Sequence, residues 1–272
     1  MGGGGHPPLR LRLTIAYKGT GYSGFAAQSD GVATVAGALS GAMEKVLKHP
    51  VRFVVAGRTD AGVHAWGNVV HFDSPRRPDE VDLPALQRAV NKMLRPDVVV
   101  REAQVAPPGF DARHSATARL YRYTILNSDV PDPFVVDTAW QVEPPLDLRA
   151  MRAACDPLLG EHDFSSFCRK PADPSGSNVR RLIDARWVDL GDQMLRFDVE
   201  ASSFCQQMVR SLVGTLIDVG MGRKRAGEMS WIVRSRDRAA AGQPAPPQGL
   251  CLWKVVYPPE LQGRGSTLNP AS

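Results

Sequence analysis

The stretch that most constrains the fold of this chain is an apolar run, a glycine-rich polar insert and a second apolar run. Residues 52–56 (Arg-Phe-Val-Val-Ala) and 68–72 (Asn-Val-Val-His-Phe) have the β-branched and aromatic make-up of strands. The insert from Gly57 to Gly67 contains three glycines, so the spacing predicts strand, loop, strand. Gly57 and Gly62 allow backbone angles closed to other residues and let the chain turn sharply and approach a ligand closely. The turn carries one cation, Arg58, and one anion, Asp60. Loops held between strands are where chemistry is commonly placed. A plain hairpin turn with Arg58 and Asp60 paired to each other or to water fits the same composition.

The chain has 272 residues, enough for one large domain or two modest ones, and 43% hydrophobic content supports a packed core. No window approaches the roughly 18 consecutive apolar residues of a membrane span. Residues 1–8 are Gly-rich without an apolar core, which reads as a flexible tail and not a signal peptide. His6 also breaks the myristoylation pattern. Residues 258–272, rich in Pro, Gly and Ser, read as a second flexible tail. Cys155, Cys168, Cys205 and Cys251 form no C-x-x-C pair and have no His at ligand spacing, so no metal site is expected. With no export signal, the expectation is a cytoplasmic protein with reduced thiols and no membrane attachment. Lys plus Arg number 33 against 28 acids, for a net +5. The excess is modest, but arginines predominate and cluster at Arg76–Arg77, Arg169–Lys170, Arg180–Arg181 and Arg223–Arg225. Guanidinium groups pair with phosphate and stack on bases; ordinary solvated surface is the plainer reading.

Along the chain, Leu9, Leu11, Leu13, Ile15 and Tyr17 alternate with polar residues, a half-buried strand. Gly19 to Gly24 (G-T-G-Y-S-G) matches the dinucleotide-binding pattern after a strand, but no helix opens at the third glycine and no acid follows at the ribose-binding distance. Thr34 is placed to cap a helix with Val35, Leu39, Met43 and Val46 on one face, and Asp82 to cap another with Leu83, Leu86, Val90 and Leu94 inward. Strands are expected at 98–105 and 119–126. In the latter, Tyr121, Tyr123 and Ile125 share a face. The Pro-rich stretch 131–145 marks a joint between 9–130 and 146–257. Asp147 caps a helix bearing Met151, Cys155 and Leu158. Strands at 182–190 and 194–201, a helix at 205–219, a short helix at about 227–234 and a strand at 250–257 complete the series. Strands and helices mix without strict alternation, so the fold class is α+β with antiparallel sheets.

The string G-R-T-D-A-G-V-H-A, followed by V-V-H-F, resembles the signature of the bacterial tRNA pseudouridine synthases of the TruA family. M-V-R-S-L-V-G around Arg210, A-R-L-Y-R-Y around Tyr121 and G-L-C-L at 249–252 resemble further motifs of that family. Gly19 to Gln28 is similar to its Y-x-G-x-x-Y-x-G-W-Q-x-Q, with Phe25, Ala26 and Ala27 as departures; His114 is another. The resemblance runs from about Leu11 to Tyr257. It implies a pseudouridine synthase fold: two similar α/β halves with antiparallel mixed sheets joined side by side and a catalytic cleft between them.

The resemblance also implies an isomerase that needs no cofactor and no metal. It would convert uridine to pseudouridine in the anticodon stem-loop of tRNA, at tRNA positions 38, 39 and 40, and act as a homodimer. Asp60 becomes the nucleophile, a role carboxylates play at other anomeric centres. Arg210, in an otherwise apolar helix, needs an anion; Asp218 or Glu200 would serve, and the resemblance places it beside Asp60. Tyr121 would stack on the extruded base; without the resemblance, core packing is the plainer reading of a strand tyrosine. Arg58 would guide the flipped base or hold a phosphate. Leu250 and Leu252 would form an apolar wall, and Arg113, Arg119, Arg169 and Lys170 would face the RNA. His64 and His71 read as structural. A catalytically inactive RNA-binding protein and, through Gly19–Gly24, a dinucleotide enzyme are the competing functions.

Overall fold

The structure, a computed structural model, describes residues 8–29, 31–169 and 176–262. Residues 1–7 and 263–272 of the expected tails, and Lys170, lie outside the described residues. The chain forms two compact units, one drawn from Met1–Ala61, Ala65–Thr117 and Val255–Ser272, the other from Gly62–His64 and Ala118–Lys254.

Unit 1 contains, in chain order, β1 (Leu9–Tyr17), α1 (Val35–Leu47), β2 (Val54–Val55), β3 (His64–Ser74), α2 (Leu83–Leu94) and β4 (Val98–Val105). Its strands run β4–β1–β3, all antiparallel, with the short β2 on β3. Leu11, Leu13 and Ile15 of β1 are fully buried, as are Leu39 and Met43 of α1; burial of each such side chain is worth about 1.5–3 kcal/mol. Both predicted caps form. The Thr34 hydroxyl accepts from the Gly37 amide at 3.1 Å, and an Asp82 carboxylate oxygen accepts from the Ala85 amide at 2.9 Å. β1 departs from the half-buried expectation, because its polar face is covered too. Arg12 is 4% exposed, with its guanidinium 4.9 Å from the Phe110 ring centre and 4.7 Å from that of Tyr257. Its Nη1 donates to the Leu261 carbonyl at 2.8 Å.

Unit 2 continues with β5 (Ala118–Leu126), β6 (Trp140–Gln141), α3 (Leu148–Ala153), β7 (Gly160–Asp163), β8 (Val179–Gly191), β9 (Met194–Ala201), α4 (Met208–Gly220), α5 (Met229–Ser235) and β10 (Leu250–Val256). The strands run β10–β5–β9–β8–β7, with β6 parallel to β5. Register pairs Tyr121 with Val199, Tyr123 with Phe197 and Ile125 with Leu195, and all six are buried. The alternate residues carry charge. Asp198, 1% exposed, lies 2.7 Å from Arg196, 3.5 Å from Arg122 and 3.6 Å from Arg186. Arg122 in turn lies 4.0 Å from the centre of the Trp253 ring. The α+β class read from the sequence is the class observed.

One expectation is overturned. Cys168 and Cys205 are joined as a disulfide, with Cα atoms 5.7 Å apart, leaving Cys155 and Cys251 as thiols. Two cysteines separated by 37 residues carry no pairing signal in the sequence; the fold supplies the distance that a bridge requires. Among the described residues, no group of His, Cys, Asp or Glu is arranged to hold a metal and no helix is long and apolar enough to cross a membrane.

Candidate active site

The loop bearing Arg58 and Asp60 is shorter than the insert read from sequence, because β3 begins at His64. It is held from beneath by one buried amide. Asn68, fully buried, donates through Nδ2 to the Gly57 carbonyl at 2.9 Å and to the Tyr17 hydroxyl at 3.2 Å. The Asn68 side-chain oxygen Oδ1 accepts from the Val69 amide at 2.9 Å. The Tyr17 hydroxyl reaches Thr59 Oγ1 at 2.8 Å. Gly57 and Thr59, the residues on either side of Arg58, are therefore held by two linked side chains, Gly57 by Asn68 and Thr59 by Tyr17. Buried polar groups satisfied in this way rigidify a site.

The glycine-rich segment 19–24 supports the same loop. Gly19–Gly21 form a single 3-10 turn, and α1 opens only at Val35, so the dinucleotide reading lacks its helix N-terminus. Gly24 has φ +100°, and a Cβ there would lie 2.9 Å from the Thr59 carbonyl oxygen. The same carbonyl accepts from the Phe25 amide at 3.1 Å. Arg58 stands exposed on this loop, Thr59 is buried and Asp60 is half-buried. The loop thus presents a half-buried carboxylate and an exposed guanidinium on either side of the buried Thr59.

In unit 2, Arg210 lies in the first turn of α4. Its Nε donates to the Ala245 carbonyl at 2.6 Å, and its own carbonyl accepts from the Ala245 amide at 2.9 Å. Neither acid proposed from the sequence is its ion-pair partner; Asp218 pairs with Arg223 at 3.4 Å. The segment 243–247 lies directly on α4. A Cβ on Gly214, one turn past Arg210, would run into the Gln243 carbonyl. Tyr123 joins this set by donating its hydroxyl to the Pro246 carbonyl at 2.7 Å. Burial pushes its phenol well above the ordinary tyrosine range, although Arg210 pulls the other way.

Tyr121 is 8% exposed and meets Phe204 edge-on at 5.1 Å. Leu250 and Leu252 lie on the neighbouring strand β10 and are buried. Gly62, at φ +77°, would bring a Cβ within 2.9 Å of the Pro247 ring. His64 Nε2 bonds the Gln248 carbonyl at 3.0 Å.

Sequence reasoning missed Asn68, Tyr123 and the 243–247 segment. The run Gln243-Pro244-Ala245-Pro246-Pro247 was the available signal, since a proline-rich stretch ahead of a strand has to be laid against something. Among the expected RNA-facing residues, Arg113 and Arg169 are exposed. Arg119 is buried, and its Nη1 donates to the Ser202 carbonyl at 2.8 Å. His71 is structural: its Nδ1 accepts from the Ala112 amide at 2.9 Å.

Fold and site together describe an α+β protein built around a loop carboxylate on a rigid support. The chain belongs to the tRNA pseudouridine synthase family, whose model matches residues 13–115 and 154–258. It is 41% identical to tRNA pseudouridine synthase A of Geobacter sulfurreducens over 91% of this chain and 99% of that one. It is 40% identical to the protein of that name from Myxococcus xanthus, over 95% and 97%, and 39% identical to that from a Geobacillus species, over 91% and 98%. Among solved structures, a Cbf5-Nop10-Gar1 complex overlaps 76% of this chain and 45% of its own at 12% identity and a TM-score of 0.33, a likeness too slight to add to the assignment.

Proposed function

We propose that this chain isomerises uridine to pseudouridine in the anticodon stem-loop of tRNA, with Asp60 as the nucleophile. The reaction breaks the bond between uracil N1 and ribose C1′ and joins C1′ to C5. The proton on C5 leaves and N1 gains one, so the change is a pure isomerisation. The target nucleotide must first leave its stack. The observation that carries the reading is the Asn68–Tyr17–Thr59 clamp. It fixes the backbone beside a single carboxylate in a family whose named members are tRNA pseudouridine synthases.

In this reading Arg210 supplies the positive charge that keeps the Asp60 carboxylate ionised and aimed. Tyr121 packs on the extruded base, and Leu250 and Leu252 wall it. The cations that meet RNA are the exposed Arg58, Arg113 and Arg169 together with Lys170; Arg119, buried and bonded to the Ser202 carbonyl, serves the fold instead. A homodimer acting in the cytoplasm and the division into halves at 9–130 and 146–257 belong to the same proposal. Asp60→Asn preserves size and removes the charge. It should abolish tritium release from tRNA labelled at uracil C5 while leaving tRNA binding within about threefold. Release at the wild-type rate would remove Asp60 from the mechanism.

A further inference from the structure

β1 is flanked by two irregularities at the same level. On the β3 side the register steps from Ile15–Asn68 to Tyr17–Ala65, which sets Trp66 and Gly67 against Ala16 alone. On the β4 side it steps from Thr14–Glu102 to Ile15–Val100, which leaves Arg101 as the extra residue. Bulges re-aim the side chains they carry and are enriched beside functional sites.

Here the two bulged residues meet. The Arg101 guanidinium carbon lies 3.9 Å from the centre of the Trp66 ring, and Arg101 Nη1 donates to the Trp66 carbonyl at 2.9 Å. Trp66 is 45% exposed. Arg101 forms no ion pair among the described residues; its neighbour Glu102 turns to the Thr14 hydroxyl at 3.4 Å. A half-exposed indole backed by a guanidinium that forms no ion pair among the described residues adds little to a core, yet two separate bulges assemble it. Both groups recognise the same ligand chemistry. An unpaired base stacks on an indole or guanidinium plane, and a phosphate pairs with the guanidinium. Trp66 is also tied closely to the reacting centre. Five residues separate it from Asp60, so the two lie within about 22 Å even along extended chain.

We infer that Trp66 and Arg101 form a stacking platform for an unpaired nucleotide of the RNA substrate outside the reacting uridine. The inference rests on the pseudouridine synthase reading and extends it from chemistry to substrate grip. The platform holds RNA and takes no part in bond making.

Trp66→Ala, Trp66→Phe and Arg101→Ala in the full chain test it, with a fluorescently labelled unmodified tRNA transcript as the probe. Trp66→Ala and Arg101→Ala should each raise the Kd about tenfold, within the range of one lost base stack. Trp66→Phe should recover most of the affinity. The single-turnover rate of pseudouridine formation at saturating enzyme should stay within about twofold of wild type for all three, with unchanged melting temperature. A Kd for Trp66→Ala and Arg101→Ala within about twofold of wild type would overturn the platform. So would retained affinity with a changed sedimentation mass, which would assign the surface to a second copy of the chain. Wild-type protein that binds tRNA in a Trp66-dependent way but forms no pseudouridine would leave the platform standing and reject the catalytic reading.

Discussion

At the scale of single residues, Asn68 controls the loop that carries Asp60. Asn68→Ala removes both donors at once and leaves the half-buried Gly57 carbonyl and the Tyr17 hydroxyl without this partner, a loss of about 1–3 kcal/mol. The expected result is a lower melting temperature together with at least a tenfold fall in kcat. Tyr17→Phe is the cleaner probe, since it deletes only the hydroxyl that links Asn68 to Thr59; kcat should fall with KM nearly unchanged. Gly24→Ala should fail for a different reason. Its φ of +100° and the Thr59 carbonyl at 2.9 Å leave no room for a methyl, so activity should fall even where the protein folds. Cys155 makes a further test. Burial pushes its thiol up to about 12, so alkylation at pH 8 should spare it until the chain is unfolded, as peptide mapping would show. The sequence displayed Asp60 and Arg58 plainly, because their turn is local. It could not display Asn68 as a clamp, because its partners come from the loop at Gly57 and from β1 at Tyr17 and a polar residue in an apolar run looks the same whether or not it is satisfied.

At the scale of elements, local rules read well and long-range ones did not. The helices at Val35 and Leu83 were legible because a side-chain cap and a 3.6-residue period fix both the start and the inward face. Thr34→Ala should cost about 1 kcal/mol in thermal unfolding. The Met194–Ala201 strand was legible in full, whereas β7 (Gly160–Asp163) was not, since four residues of mixed polarity give no alternation to count. The predicted helix over 205–219 begins late, at Met208, because the Cys205 carbonyl turns back to accept from the Met208 amide and Gln207 adopts φ +65°. The charged side of the β5–β9–β8 ladder offers the strongest element-level test. Asp198→Ala would leave Arg122 and Arg196 without their shared anion, while the exposed Arg186 keeps Asp184. Removal of one partner from a buried ionic cluster costs about 3–5 kcal/mol, so the variant should unfold at markedly lower denaturant than wild type.

At the scale of the whole molecule, acid should weaken the protein in two steps that can be assigned within unit 1. Burial, with Arg10 nearby, lowers the His71 pKa, and its Nδ1 accepts a hydrogen bond that requires the neutral ring. The stability held by this group is complete above the ordinary histidine value of about 6.5 and is lost as pH falls through the lower folded value. The hydrogen bond from Arg10 lowers the Asp73 pKa. Its contribution is present above about pH 3.9 and disappears as pH falls through the folded value. Thermal midpoints measured from pH 8 to pH 3 should fall in that order, and His71→Gln should flatten the upper step. The Arg12 sandwich also governs the order of assembly. β1 is among the first segments synthesised, yet its buried guanidinium finds Tyr257 and the Leu261 carbonyl only after residues 255–261 have left the ribosome. Unit 2 waits almost as long, since its strand β10 is made just before that segment, so neither unit should become protease-resistant until β10 has emerged, and a chain truncated after Lys254 should leave β1 cleavable while 118–254 stays protected.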